Sequence, residues 1–202
     1  MPSETDCLND ALGQIGAAAI TSISDGSTNA NYCQRFYPAL RDGRLASHHW
    51  NFAVTWVQLS PDVTGPIAGF NFAYTLPPDC LKVVNYGGTL PSSPSTIATY
   101  TDPYGRVLVR YKIEGRKLVS NDGTAFVQYL RQITNPSEWS PLFYQGLSKE
   151  LASKLAMAIP KDEKKAMALL QMAEMTFATA MAVDGQENSI EPYIVDDLIW
   201  GR

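Results

Sequence analysis

The stretch that decides the fold is residues 140–183, SPLFYQGLSKELASKLAMAIPKDEKKAMALLQMAEMTFATAMAV. Ser140 followed by Pro141 is a helix start signal, because a proline at the first helical position loses no hydrogen bond. Apolar residues then repeat at helical spacing as far as Pro160, and the pattern resumes after acids that suit the positive end of a second helix. Because the connection is short, the two patterns predict an antiparallel helix hairpin.

Each helix of this hairpin has a predicted buried face. In the first helix the face consists of Leu147, Leu151, Leu155 and Ala158. In the second it consists of Ala166, Leu169, Leu170, Ala173, Phe177 and Met181. Methionines recur at roughly helical spacing, at Met157, Met167, Met172, Met175 and Met181. The default interpretation places them in the hairpin core, and the alternative is a yielding surface for a partner.

Two more helices are predicted near the beginning of the chain. Ser3 and Asp6 have capping-box spacing, and an apolar face follows until Gly16 ends the helix. Thr28 is the predicted cap of the second helix, which Pro38 is expected to kink or split.

In the middle third of the chain, apolar residues follow the two-residue period of β-strands. Alternating apolar residues at 70–76 and an apolar run at 80–86 predict two strands, and a Gly, Pro and Ser-rich loop follows at 87–96. Strands at 107–113, 116–120 and 125–133 are separated by two short turns, which predicts an antiparallel meander.

The predicted fold class is α+β. It combines a helical bundle (two N-terminal helices plus a C-terminal antiparallel helix hairpin) with an inserted antiparallel β-sheet meander. The bundle is assigned to 1–53 and 138–183, the β-sheet region to 54–137, and an extended C-terminal docking tail to 184–202.

The composition of the chain argues against several classes of function. The chain has 202 residues, a net charge of -4 and three cysteines far apart. The charge argues against a protein that mainly binds a nucleic-acid backbone. The cysteines allow no disulfide framework or CxxC metal pair, and we expect them to be small core residues. The beginning of the chain lacks a signal-peptide pattern, and no apolar run approaches a membrane span.

The sequence contains no recognisable catalytic, metal-binding or cofactor-binding constellation. The histidines are the adjacent pair His48 and His49, which would point apart on a helix, and we expect them to lie on the surface or to pack at a helix end. Phosphate-binding glycine motifs and the G-x-S-x-G nucleophile motif are absent. We therefore expect no enzyme activity, no metal and no cofactor.

Two surfaces are candidates for interactions. One is the basic stripe Arg106, Arg110, Lys112, Arg116 and Lys117. It is either a positive surface for DNA or an acidic partner, or the ordinary solvated face of a sheet, which we favour. The other is the acidic tail 184–202, whose apolar anchors predict docking on another component, namely Tyr193, Ile194, Leu198, Ile199 and Trp200.

Several blocks of the chain resemble, in order, the tail tubular protein A family, the head-to-tail adaptors of T7-like short-tailed bacteriophages. The blocks are ALGQIG at 11–16, ITSISD at 20–25, FY at 36–37, RD at 41–42, HWNFA at 49–53, FAYTLP at 72–77, DCLKV at 79–83, YKIEGRKL at 111–118, ITNP at 133–136, Trp139 and the helix at 147–158. Pro38 and Gly43 depart from the family pattern, and the tail after Asp184 does not align.

The resemblance implies a structural virion protein of the phage neck, assembled in the host cytoplasm. Such subunits form a homo-oligomeric ring, a dodecamer, between the portal protein and a tail nozzle protein of the tail tubular protein B type, and tail fibres can be further partners. DNA passes through the lumen during ejection without sequence-specific binding, and no membrane anchor is involved.

Two other classes of function stay open. One is a sequence-independent nucleic-acid-binding module that uses the 106–117 stripe. The other is a small hydrolase or transferase, the weakest hypothesis because no nucleophile–base pair is suggested.

Overall fold

The computed structural model describes residues 2–62, 69–87 and 111–187. These residues form four α-helices, α1 (Glu4–Ile15), α2 (Thr28–Ser47), α3 (Pro141–Ala158) and α4 (Glu163–Glu187). They also form six strands, β1 (Val54–Leu59), β2 (Phe72–Thr75), β3 (Cys80–Gly87), β4 (Tyr111–Glu114), β5 (Lys117–Ser120) and β6 (Ala125–Arg131). The protein is mixed α+β, as the sequence predicts.

Helix α1 forms where its capping signals place it. The Asp6 N–H donates to Ser3 Oγ (3.2 Å), and the Ser3 N–H donates back to the Asp6 carboxylate (2.7 Å). These hydrogen bonds lower the pKa of Asp6. Gly16 ends the helix with φ 76°, which only glycine adopts freely. The predicted apolar face is buried in full, at Cys7, Leu8, Ala11, Leu12 and Ile15.

Helix α2 differs from its prediction at two points. Its cap is Ser27, whose side chain accepts from the Ala30 N–H at 3.1 Å, and Thr28 is already helical. The helix also runs through Pro38 without being split. Proline removes one backbone donor, and burial of Cys33, Tyr37 and other residues on the inner face holds the helix together on both sides of it.

Helix α3 is the centre of the helical layer, because α1, α2 and α4 all pack against it. Helix α4 runs antiparallel to α3. Near the connection the Asp162 N–H donates to the Ala156 carbonyl oxygen (3.0 Å), and halfway along Lys149 Nζ donates to Thr176 Oγ1 (2.9 Å). At the far end Leu142 lines the same cavity as Val183.

The strands form two small antiparallel sheets, ordered β1-β6-β3 and β2-β5-β4. Strands β4 and β5 form the predicted hairpin. The continuous meander is wrong, because β6 pairs with β1 and β3 and not with β5. Strand β1, which no sequence pattern predicted, pairs with β6 along one edge.

Strand β6 contributes residues to both hydrophobic cores. This is the physical reason why the strands form two sheets and not one. Leu130 belongs to the helical core, whereas Val127 and Tyr129 belong to the core that the two sheets share. Tyr86 strengthens the contact between the sheets, since its hydroxyl donates to Asp122 (2.8 Å) and lies 2.9 Å from Ser120 Oγ. A single sheet would leave one face of β6 without this packing.

Gly146 of α3 lies against the Phe177 ring of α4, and replacing it tests this contact. A Cβ atom built there would lie 2.9 Å from the Phe177 ring. Alanine gains about 1 kcal/mol of helix propensity, but overpacking a filled core costs about 1–3 kcal/mol. We expect Gly146→Ala to lower the free energy of unfolding by about 1 kcal/mol in urea titrations.

The matched control is Gly13→Ala in α1, where nothing lies within 4 Å of the added Cβ. We expect this substitution to be neutral or stabilising by about 0.5 kcal/mol. Equal effects of the two substitutions would contradict the close approach of α3 and α4.

Candidate interaction surfaces

The described part of the basic stripe is occupied by contacts within the protein. Lys112 pairs with Glu114 on the same strand, and Lys117 Nζ lies 2.6 Å from Asp62 Oδ2. Arg116 donates to the carbonyl oxygens of Pro77 (2.6 Å) and Pro78 (3.1 Å). Arg106 and Arg110 lie outside the described residues. Because two of the three described bases face an acid, the local positive potential is reduced.

The five apolar anchors of the tail, Tyr193, Ile194, Leu198, Ile199 and Trp200, lie outside the described residues. The structure does describe the first part of the predicted tail. Helix α4 continues past 183 to Glu187, and Asp184 is buried within it. The predicted boundary at 184 therefore falls inside a helix, because the periodicity that seemed to end at Val183 continues with a buried carboxylate.

Asp184 fixes the end of α4 to the corner between α2 and β1. Its carboxylate accepts from the Asn51 N–H (3.0 Å) and lies 3.2 Å from His48 Nε2. The Asn51 side chain donates to the Asp184 backbone oxygen (2.7 Å). The His48 ring packs on Trp50. The prediction that the histidines pack at a helix end is confirmed for His48.

A charged cluster that the sequence analysis missed lies between α2, α3 and α4. Arg44 forms a bidentate pair with Glu150, at 2.6 Å and 3.1 Å, and also bonds to Glu174. The guanidinium lies 4.4 Å from the centre of the Phe177 ring. Burial alone would lower the pKa of Arg44, but the hydrogen bonds and charges of both carboxylates outweigh it and raise the pKa. This cluster is structural, since it holds three helices together.

Two cavities adjoin the corner between α2 and β1 where α4 ends. A cavity of about 480 Å³ is lined by apolar side chains such as Phe52, Trp139 and Val183, together with Glu138. A neighbouring cavity of about 530 Å³ is lined by His49 and Asn51. Glu187 borders both cavities. Of the other acids that line the first cavity, Glu138 pairs with Arg131, and Asp184 is held by Asn51 and His48.

The cysteines behave as core residues, which confirms the prediction. Cys7, Cys33 and Cys80 are all buried and free. Burial raises the pKa of the Cys7 thiol to about 12 and of the Cys33 thiol to about 11, so both stay protonated at neutral pH. Within the described ranges, no group of three or more His, Cys, Asp or Glu could hold a metal ion.

The methionines are not in the core, and the default prediction is wrong. Met167 is 66% exposed and Met175 is 65% exposed. Leu170 and Met181, two of the six predicted core positions of α4, are exposed as well, while Ala180 and Asp184 are buried. The other four predicted positions are buried, so the pattern found the correct face and extended it to two exposed positions, because both faces of α4 are apolar. The minority interpretation, a yielding surface, is the one that fits the exposure.

Helix α4 is long and apolar enough to cross a membrane by length and composition alone. Only 28% of its most apolar window is buried within the protein. Its inner face nevertheless packs on α3 and carries the buried carboxylate of Asp184.

No protein-family model matches this chain, and a search of the curated proteins finds no relative of significant similarity.

Proposed function

We propose that this chain is a structural virion protein, a head-to-tail adaptor of the tail tubular protein A type. In this role it forms a ring between the portal and the tail nozzle, and DNA passes through the ring during ejection. The observation that carries the proposal is the ordered series of sequence blocks between residues 11 and 158 that resemble this family.

The HWNFA block at 49–53 forms the joint between the helices and the sheets, which supports a role in an assembly under mechanical force. Trp50 is 1% exposed, its ring packs against Phe52 and Phe143, and its Nε1 donates to the Arg44 carbonyl oxygen (2.9 Å). Asn51 adds the hydrogen bonds to Asp184. A joint fixed at so many points suits a subunit that passes force between neighbours.

The distribution of exposed apolar side chains also supports an assembly role. A ring subunit needs different patches for each neighbour, since contacts in a ring are heterologous. Besides the outer face of α4, exposed apolar side chains lie on strands at Trp56, Phe72 and Ile113. Separate apolar surfaces on the helical and the sheet parts provide the several contacts that the proposal requires.

The test is to mix the purified chain with the portal protein of the same phage and examine the product by electron microscopy. We expect a ring, a dodecamer, on the portal. Deleting 188–202 should weaken portal binding by at least about tenfold, about 1.4 kcal/mol, because the apolar anchors of the tail are removed. Thermal unfolding of the truncated chain serves as the control for folding.

Two outcomes separate the two parts of this proposal. A chain that stays monomeric with portal present, and that is missing from purified virions, would contradict the adaptor function. Unchanged portal binding by the truncated chain would contradict only the docking role of the tail.

The alternative, a nucleic-acid-binding module, makes a different prediction. Such binding would weaken steeply with salt and after Lys112→Glu. The pairing of Lys112 and Lys117 with acids is an argument against it. A conduit also needs weak contact with DNA, because a tight grip on phosphates would slow ejection.

A further inference from the structure

Helix α4 ends at the face of one of the two sheets. Its last residue, Glu187, borders the cavity of about 530 Å³, which we call the sheet groove. The other lining residues belong to the chain before β1 and to all three strands of the sheet β1-β6-β3, namely His49, Asn51, Val54, Val84 and Gln128. The chain therefore leaves α4 beside this groove.

Asn51 holds the end of α4 in this position. Its side chain donates to the Asp184 backbone oxygen at 2.7 Å. This oxygen belongs to one of the last four carbonyl groups of the helix, which have no partner within it. The Asn51 N–H also donates to the Asp184 carboxylate at 3.0 Å. Because a residue that lines the sheet groove caps α4, the place where the following segment begins is fixed relative to the sheet.

The helices cover only part of this sheet face. Leu130 of β6 is buried in the helical core, and its cross-strand neighbour Val54 packs against the same core. Two residues further along the strands lie Gln128 and Trp56, which are cross-strand neighbours on the same face. Trp56 is 41% exposed. The face thus continues beyond the helices, and a large aromatic side chain is exposed next to the sheet groove.

The segment after Glu187 suits this groove in composition and length. Residues 188–195, NSIEPYIV, are largely apolar and contain one acid, Glu191. An extended chain spans about 3.4 Å per residue, so Tyr193 can lie up to about 20 Å from Glu187. Three neighbouring strands are about 10 Å across. Tyr193 can therefore reach across the sheet groove to Trp56.

We infer that the first part of the tail, residues 188–195, docks in the sheet groove of its own chain, with Tyr193 against Trp56. Aromatic side chains bury a large apolar area and pack on one another in preferred geometries. His49 and Gln128 supply hydrogen-bonding groups for the backbone of the docked segment. While the tail is docked, Trp56 and Tyr193 cover each other, so neither is available to another molecule.

The apolar cavity of about 480 Å³ suits this segment less well. Ala180, Val183 and Glu187 line it, and they follow one another along the last two turns of α4. A segment that starts after Glu187 would have to reverse at once and run back along the helix to fill this cavity. It enters the sheet groove without such a reversal, because Glu187 is the residue that α4 contributes to the groove.

The short connection favours the groove of the same chain over that of a second copy. Five residues separate Tyr193 from Glu187. A linker this short gives an effective concentration on the order of 1 mM, about a hundredfold above that of a second copy at about 10 µM. This inference does not rest on the adaptor function, because the contact forms in the free chain and its tests contain no portal protein.

The first experiment measures how fast chymotrypsin cleaves the full chain after Tyr193, with the released peptide 194–202 quantified by mass spectrometry. Cleavage requires the undocked tail, so its rate follows the population of that state. We expect Trp56→Lys to raise the rate at least about fivefold, because the aromatic contact is lost. Trp56→Phe should stay near the wild-type rate. The control is Ile113→Lys, at a residue that is also 41% exposed but lies on β4 of the other sheet, and it should leave the rate unchanged.

Equal rates for the wild type and Trp56→Lys overturn the inference, and so does an Ile113→Lys variant that is cleaved as fast as Trp56→Lys. The ratio of the Trp56→Lys rate to the wild-type rate should be the same at about 1 and about 100 µM protein, because the contact lies within one chain. A ratio that grows with concentration assigns the groove to the tail of a second copy and also overturns the inference.

A second experiment tests the position of the tail with a short bis-maleimide. Glu191→Cys should be linked to Gln128→Cys within one chain. The control combines Glu191→Cys with Met181→Cys, an exposed position about 9 Å along α4 from Glu187 and within reach of residue 191. The native cysteines are buried, so the wild-type chain should give no link. Equal linking of the two pairs, or linking to Met181→Cys alone, overturns the inference.

Discussion

Replacing Arg44 with methionine is expected to destabilise the protein by about 3 kcal/mol, the cost of removing one partner of a buried ion pair. The Glu150 side chain is only 10% exposed, and Arg44 is its bidentate partner. Without the guanidinium, Glu150 would remain buried beside Glu174 as an uncompensated charge. The contact with the Phe177 ring would be lost as well.

Urea unfolding followed by tryptophan fluorescence measures this effect, since Trp50 and Trp139 are buried in the helical core. The matched control is Glu174→Gln. The side chain of Glu174 is 54% exposed, so its pair with Arg44 is expected to contribute less than about 1 kcal/mol. A double substitution of Arg44 and Glu150 with methionine should recover much of the loss, because no charge is left buried. If the double and the single variant lost the same free energy of unfolding, the unpaired charge of Glu150 would not be the cause of the loss.

The second large effect is expected for Phe177→Ala, which should lower the free energy of unfolding by about 3–5 kcal/mol. Phe177 is 1% exposed and lies between α3 and α4. Its ring meets the Phe143 ring edge-on at 5.8 Å and lies beneath the Arg44 guanidinium. Truncation removes both ring contacts and leaves a cavity at the centre of the hairpin.

Thermal unfolding by circular dichroism measures the Phe177→Ala effect, and we expect a drop in Tm of roughly 10 °C. The control lies two residues earlier on the same helix. Met175 is exposed on the opposite face, so Met175→Ala should change stability by less than about 0.5 kcal/mol. A Phe177→Ala variant that loses under about 1 kcal/mol would show that α4 does not pack on α3 as described.

Most local signals in the sequence were reliable where a structure depends on neighbouring residues, although the cap of α2 is Ser27 and not Thr28. The capping box of Ser3 and Asp6, the glycine at the end of α1 and the Ser140–Pro141 start of α3 are all present. Each involves hydrogen bonds or backbone angles within a few residues, so the sequence contains the whole interaction. The β4–β5 hairpin belongs to the same class, because its turn is short.

The Arg44 cluster could have been suspected from one signal. Glu150 lies between Leu147 and Leu151 on a predicted helix, and a carboxylate beside such a face requires a buried partner. The sequence could not name that partner, since Arg44 is distant along the chain and three helices have to meet before the pair exists.

By itself, the sequence determined the fold class, the residues at which α1 and α3 begin, and the burial of the cysteines. Only the tertiary structure decided which strand joins which sheet, where the buried face of α4 ends, and that Asp184 belongs to a helix. Helix α4 shows the reason most clearly. Because both of its faces are apolar, periodicity found four of the six buried positions, and the position of α3 determines where the buried face ends and which apolar residues stay exposed.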